Sequence, residues 1–304
     1  MKRTAAAYAA LMFSLCAFAS AAPLPAATPP SATAFYVRAV ATMDALPQPA
    51  YATYTIIARG EGGSVKLTPA KGRVELTAGP GPNSIERIHA AYRAHDGAAS
   101  LRFRDGKRAL AHWGLLRPTW NGAYAFMQEG YASAPPTPKP APASARTSLP
   151  PASPTPSAAL RTIAIVKSIG PGYYRVQDRG AASCPDGAPG HALHLIAWRD
   201  PQTHPLTDVT VDLHSMRFCM MRFSLPSNGM GPFGATGFVE LHFRQSGAYW
   251  MESGSLANIE VRALGIAFKN YTIRMNYNHF TYPSTLPAAL FVVPKVAPTA
   301  TPRR

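Results

Sequence analysis

The sequence predicts a mostly β protein, built on a single curved antiparallel sheet or incomplete β-barrel, with one helix near the N-terminus. Apolar and polar residues alternate in short segments that recur about every ten residues, as in sheets, sandwiches and barrels. Glycine-rich and Asp-Gly turns separate these segments, and glycine tolerates the positive φ of hairpin turns. Between residues 33 and 46 the spacing of apolar residues becomes helical, since Tyr36, Val40 and Met43 follow one another at offsets of four and three.

Residues 1–21 have the features of an export signal. Lys2 and Arg3 precede an apolar stretch, and Ala19-Ser20-Ala21 forms a small-residue cleavage site. The alternative is a membrane anchor, but the apolar stretch is shorter than the ~20 residues that a span requires. We expect cleavage and a periplasmic or secreted protein, with the Pro/Ala-rich residues 22–32 disordered.

The first half of the remaining chain should be one helix followed by strands. Pro47 and Pro49 end the helix 33–46, because proline cannot continue a helical hydrogen-bond ladder. The predicted strands of this half cover residues 51–59, 64–68, 73–78, 85–95, 99–104 and 108–113.

A Pro/Ala/Ser-rich segment at 132–157 interrupts the strands and has too few large apolar side chains to fold alone. It either divides two domains or is a loop inserted into one sheet. We favour the loop, so that residues 33–294 form one domain and 295–304 a disordered tail. The strands predicted after the loop cover 160–166, 173–178, 192–199, 207–213 and 217–225, then four or so up to a helical turn at 286–291.

The chain is strongly basic. Its formal net charge is +15, which falls to +13 when Lys2 and Arg3 leave with the signal. Such a surface attracts phosphates, anionic lipid headgroups or acidic glycans. The cations are spread singly, which argues against a nucleic-acid partner.

Two cysteines remain after removal of the signal, Cys184 and Cys219. They form either a disulfide or two separate buried thiols. We favour the disulfide, because thiols outside the cytoplasm tend to be oxidised.

No catalytic or metal-binding motif stands out. Residues 229–234 fit G-x-G-x-x-G, but a strand rather than a helix should follow them, so we interpret them as a loop. His191 and His194 fall on opposite faces of a predicted strand and should not share a metal. Asp212 and His214 share a face, which leaves a hydrolase as a minor alternative. We therefore expect no enzyme activity, no cofactor and no metal.

Three segments carry a family resemblance: residues 43–47 (MDALP), 195–205 (LIAWRDPQTHP) and 271–291 (YTIRMNYNHFTYPSTLPAALF). With the order signal, helix, strands and Pro-Leu-Phe end, the chain resembles the LolA-like periplasmic lipoprotein-carrier superfamily, and within it the lipoprotein-sorting-like proteins. The resemblance implies an incomplete barrel around an apolar cavity that shields acyl chains. One helix instead of several, the Pro-rich insertion and the two cysteines depart from that pattern.

From this we expect an exported, non-enzymatic carrier of a lipid or lipoprotein, with peripheral contact to anionic membranes. The alternative is a structural or interaction protein of the envelope with a filled core. Apolar side chains on a concave sheet face would line the cavity. The candidates are Tyr54, Ile56, Trp113, Phe126, Tyr249, Met251, Ile273 and Met275.

Overall fold

The computed structural model describes residues 31–70, 73–79, 81–111, 113–114, 118–122, 169–198, 204–225, 233–263 and 266–292. These residues form one α-helix, fourteen strands and a short 3-10 helix, which confirms the predicted mostly β fold. The elements are α1 (Ala32–Asp44), β1 (Tyr51–Glu61), β2 (Ser64–Ala70), β3 (Arg73–Gly79), β4 (Ile85–Arg93), β5 (Ala98–Phe103), β6 (Arg108–Ala111), β7 (Trp113–Gly114), β8 (Tyr174–Ser183), β9 (Pro189–Ala197), β10 (Leu206–Asp212), β11 (Phe218–Leu225), β12 (Phe233–Ser246), β13 (Tyr249–Ala263), β14 (Ile266–Thr281) and the 3-10 helix Ala288–Phe291.

Helix α1 begins at a polar cap and packs through one face. The Ser31 hydroxyl accepts a hydrogen bond from the Ala34 amide at 3.2 Å, which satisfies one of the free donors of the first turn. Tyr36, Val40 and Met43 are buried, as their spacing predicts. In the part of the chain that the structure describes, no helix is long and apolar enough to cross a bilayer.

One antiparallel sheet contains eleven strands in the order β6-β5-β4-β1-β14-β13-β12-β11-β10-β9-β8. It is not closed into a barrel. The pairing of β1 with β14 joins the first strand of the chain to the last, so that both halves of the sequence share one sheet. A second, three-stranded sheet, β2-β3-β7, lies outside the predicted single sheet and contains a parallel pair, β3 with β7.

The last part of the chain differs from the prediction of four or so strands. It forms three long strands, of 14, 15 and 16 residues. Register shifts at His242/Phe243 and Val261/Arg262 interrupt the ladders, and each strand continues through the irregularity. The inserted loop 132–157, the predicted strand 160–166 and the tail 295–304 lie outside the described residues.

The buried apolar side chains form two clusters. The helix-side cluster joins α1 to strands β8–β13, with Tyr36, Met43, Phe218, Phe223 and Phe243 among its members. The strand-side cluster involves strands β1, β2, β4, β5 and β14, with Tyr54, Ile56, Leu67, Ile88 and Tyr277 among its members.

Cys184 and Cys219 form a disulfide with an S–S distance of 2.06 Å, as predicted. It ties the turn after β8 to strand β11 and closes a loop of 35 residues, for which chain entropy gives about 3–4 kcal/mol. Gly190 leaves room for it, since a Cβ there would lie 3.3 Å from the Cys184 Sγ and 2.8 Å from the Thr210 Cγ2.

Candidate functional site

Four of the predicted cavity residues lie together in the strand-side cluster. Tyr54 and Ile56 come from β1, and Ile273 and Met275 come from the neighbouring strand β14. Each is at most 6% exposed, and together they pack on the inward face of the sheet. The structure therefore brings these four together, and their role in lining a ligand cavity stays a prediction.

The other four are more scattered. Met251 is fully buried on β13, while Tyr249 is half-buried with its ring 4.7 Å from that of Tyr282. Trp113 lies in β7, where the structure describes the backbone only. Phe126 lies outside the described residues.

A buried acid, Glu252, lies where the two clusters meet. Its register partner on the neighbouring strand β12 is Phe243, a member of the helix-side cluster. Its hydrogen-bond partner is Tyr277, a member of the strand-side cluster. The residue is only 2% exposed, and a carboxyl buried this deeply among apolar side chains is uncommon.

Burial raises the pKa of the Glu252 carboxyl well above its ordinary value, because a charge there would lose its hydration. The Tyr277 hydroxyl donates a hydrogen bond to the carboxyl, which opposes the shift without cancelling it. Burial likewise raises the pKa of Tyr277 and of Tyr54. A neutral Glu252 can therefore both donate and accept a hydrogen bond.

Hydrogen-bonding capacity remains open around this carboxyl. Among the residues that the structure describes, Glu252 Oε1 is buried and has no hydrogen-bond partner, and the same holds for the hydroxyl of Ser255, three residues further along β13. The segment 118–122 runs beside this part of β13, where the Glu252 amide donates to the Pro118 carbonyl at 2.7 Å. Buried polar atoms are nearly always paired, so unpaired ones mark a place where a water or a ligand belongs. We call Glu252, Ser255 and Tyr277 the interior polar site.

Glu252 is not among the residues predicted from the sequence. A signal existed: Trp250 and Met251 immediately precede it, so an acid directly follows a short run of large apolar residues. Its inward direction depends on the shift of register after His242, and alternation alone does not show where such a shift occurs.

His191 and His194, which the sequence places on one strand, have separate acidic partners. His191 lies 2.9 Å from Asp178, and His194 lies 2.7 Å from Asp208. His214 follows β10 in a turn, where the amides of His214 and Ser215 donate hydrogen bonds to the Asp212 carboxylate. His214 and Asp212 therefore do not lie on one face of a continuous strand. Among the described residues no group of three or more potential ligands could hold a metal ion.

The outward face of strands β1, β4, β5 and β6 is basic. The residues that share it by pairing are Arg59, Arg87, His89, Arg102 and Arg108, and Arg104 joins them in the turn directly after β5. All six are exposed. We call this set the basic face. None of its arginines lies within 4.0 Å of an acidic side chain in the described part of the chain.

A cleft of about 780 Å³ opens on this face. Its lining consists of Ile85, Arg87, His89, Arg102, Phe103 and Arg104. Ile85 is 62% exposed, so an aliphatic side chain projects into solvent among the guanidinium groups.

No protein-family model and no curated protein matches this chain. Among solved structures it is similar to an outer membrane lipoprotein-sorting protein domain from Vibrio parahaemolyticus, with 12% identity over 84% of this chain and 95% of that one and a TM-score of 0.35. It is also similar to a DUF1329 family protein from Desulfovibrio piger, with 10% identity over 86% of this chain and 97% of that one and a TM-score of 0.35. The first of these belongs to the group that the sequence resembles, and at these TM-scores we take no function from either structure.

Proposed function

We propose that this protein is an exported, non-enzymatic binding or carrier protein for an amphiphile, either a lipid or an acylated protein, in the periplasm. The proposal depends most on one observation. In the described part of the chain, Glu252 Oε1 and the Ser255 hydroxyl of the interior polar site have no partners and lie between two apolar clusters. An amphiphile has a polar group for such atoms and an apolar tail for the side chains around them.

The energetics favour a ligand with both parts. A buried polar atom without a hydrogen bond costs about 1–3 kcal/mol, which a ligand hydroxyl, amide or carbonyl group would offset. An acyl chain gains about 25 cal/mol for each Å² of apolar surface removed from water. A purely apolar ligand would leave the polar atoms unpaired, so we favour an amphiphile.

The basic charge supports the same proposal. Acylated molecules reside in membranes, and a formal charge of +13 after signal cleavage would attract the protein to anionic bilayers, where it could exchange its ligand.

Extraction of the native protein tests the proposal. The chain would be purified from the periplasm without detergent and extracted with organic solvent, and the extract would be analysed by mass spectrometry. We expect co-purifying acyl lipid, and several-fold less of it from Glu252→Leu, which removes the polar contact from the interior. Glu260→Leu is the matched control, since Glu260 is on the same strand and pairs with Arg262.

A lipid-free extract, together with no uptake of the fluorescent fatty acid 11-(dansylamino)undecanoic acid, would reject the proposal. That outcome would favour a structural or interaction protein with a filled core. One observation favours this alternative: Tyr54, Ile56 and Ile273 are each no more than 2% exposed and already pack against other side chains.

A further inference from the structure

We propose that the basic face docks the protein on the surface of an anionic phospholipid bilayer, with Ile85 inserted between headgroups. This inference names the membrane contact for the proposed carrier function and in that sense rests on it. Its observations are separate, because the basic face and the interior polar site lie on opposite faces of the sheet.

The first observation is the arrangement of charge. Arg87 and Arg102 are exposed on neighbouring strands, and His89 lies directly across from Arg102. Arg59 and Arg108 extend the same face on β1 and β6. The basic face therefore spans four strands, and a sheet presents such side chains side by side, so several can reach one surface together.

The second observation is that these guanidinium groups are available. Some other arginines of the sheet are engaged with acids: Arg222 pairs with Glu240, Arg262 with Glu260 and Arg274 with Glu61. In the described residues Arg59, Arg87, Arg102, Arg104 and Arg108 have no such pairing. Guanidinium groups that are not neutralised by the protein bind phosphate groups well.

The third observation distinguishes a membrane from a soluble polyanion. Ile85 is 62% exposed and shares the cleft with Arg87 and Arg104. A soluble polyanion offers nothing for an isolated aliphatic side chain. At a bilayer surface the same side chain leaves water for the acyl boundary while the arginines contact headgroups.

Vesicle binding by the full mature chain tests the inference. Vesicles of phosphatidylcholine with 30% phosphatidylglycerol would be compared, by flotation at several salt concentrations, with vesicles of phosphatidylcholine alone. We expect salt-sensitive binding to the anionic vesicles only. Since each arginine near such a surface contributes about five-fold in partitioning, the triple change Arg87→Gln, Arg102→Gln, Arg104→Gln should weaken binding on the order of a hundred-fold.

A charge-matched control distinguishes the contribution of the basic face to vesicle binding from the contribution of net charge. The changes Arg38→Gln, Arg175→Gln and Arg179→Gln remove the same charge from exposed positions on α1 and β8. They should weaken vesicle binding several-fold less than the changes on the basic face. Ile85→Ser should weaken binding while leaving its salt dependence unchanged, because it removes only the apolar contact.

Three results would overturn the inference: equal losses from the two triple variants, equal binding to neutral vesicles, or binding of inorganic phosphate or heparin with no vesicle binding. Uptake of the dansyl fatty acid tests the carrier proposal separately. Uptake without vesicle binding would reject only the docking surface, and vesicle binding without uptake would reject only the carrier.

Discussion

Glu252 is the residue that best distinguishes this interior from a plain apolar core. Among the described residues one oxygen of this carboxyl has no partner at a position only 2% exposed, which is unfavourable for stability. Costly buried groups of this kind are concentrated at functional sites, so we take Glu252 as a candidate for one. Its contact with Tyr277 holds the carboxyl in place between the two clusters.

Glu252→Gln should change how stability depends on pH. Because the folded-state pKa is raised above the ordinary value of 4.5, the native state retains a proton that the unfolded chain releases. This stabilisation is complete below pH 4.5 and is lost as pH rises towards the raised pKa, with a slope of at most about 1.4 kcal/mol per pH unit. Glutamine does not titrate, so the free energy of unfolding of the variant should increase relative to that of the wild type as pH rises.

Urea unfolding at a series of pH values from acid to mildly alkaline would measure this difference. Asn258→Gln, at a half-buried position on the same strand, exchanges one side chain that does not titrate for another and should track the wild type. Parallel curves for Glu252→Gln and wild type would mean that folding does not raise the pKa of this carboxyl.

At the scale of elements, α1 forms hydrogen bonds with the segment that precedes β8 and with strand β11. The Tyr36 hydroxyl donates a hydrogen bond of 2.6 Å to the carbonyl of Ile169, which is fully buried. The Met43 sulfur accepts from the Phe218 amide at 3.3 Å, so the helix contacts the backbone of β11 as well. The helix therefore contributes polar contacts in addition to its apolar face.

Tyr36→Phe should destabilise the protein by about 1–3 kcal/mol, because it leaves the buried Ile169 carbonyl without its donor. Chemical denaturation gives the change in the free energy of unfolding. Tyr271→Phe, at a half-buried tyrosine on β14, should stay within about 0.5 kcal/mol of wild type. A Tyr36→Phe value equally small would show that packing alone holds the helix.

The elements differ in how far their sequences specify them. The helix and most strands could be predicted because their periods and turn residues are local, as at Tyr36, Val40 and Met43. The three long final strands could not, since their register shifts at His242 and Val261 depend on pairing with other strands. The same limit applied to the interior polar site, because Glu252 faces inward only as a result of such a shift.

At the scale of the whole molecule, the pairing of β1 with β14 decides which side chains meet. It places Ile56 beside Tyr277 and thereby assembles half of the predicted cavity residues. Local patterns predict strands but not which distant strands pair, so this arrangement had to come from the structure. The resulting sheet has apolar clusters on one face and the basic face on the other, which is the arrangement that the two proposals require.

The most direct test of the carrier proposal is to place a bulky side chain at the interior polar site. Ser255→Phe replaces the unpaired hydroxyl with a large side chain, and Asn276→Phe introduces the same side chain at an exposed position on β14. If a ligand binds at this site, Ser255→Phe should abolish uptake of the dansyl fatty acid while its free energy of unfolding stays within about 1 kcal/mol of wild type, and Asn276→Phe should change neither. A Ser255→Phe protein that loses about 1–3 kcal/mol or more, as overpacking of a filled core does, from a wild type that takes up no probe, would contradict the proposal and identify a filled core.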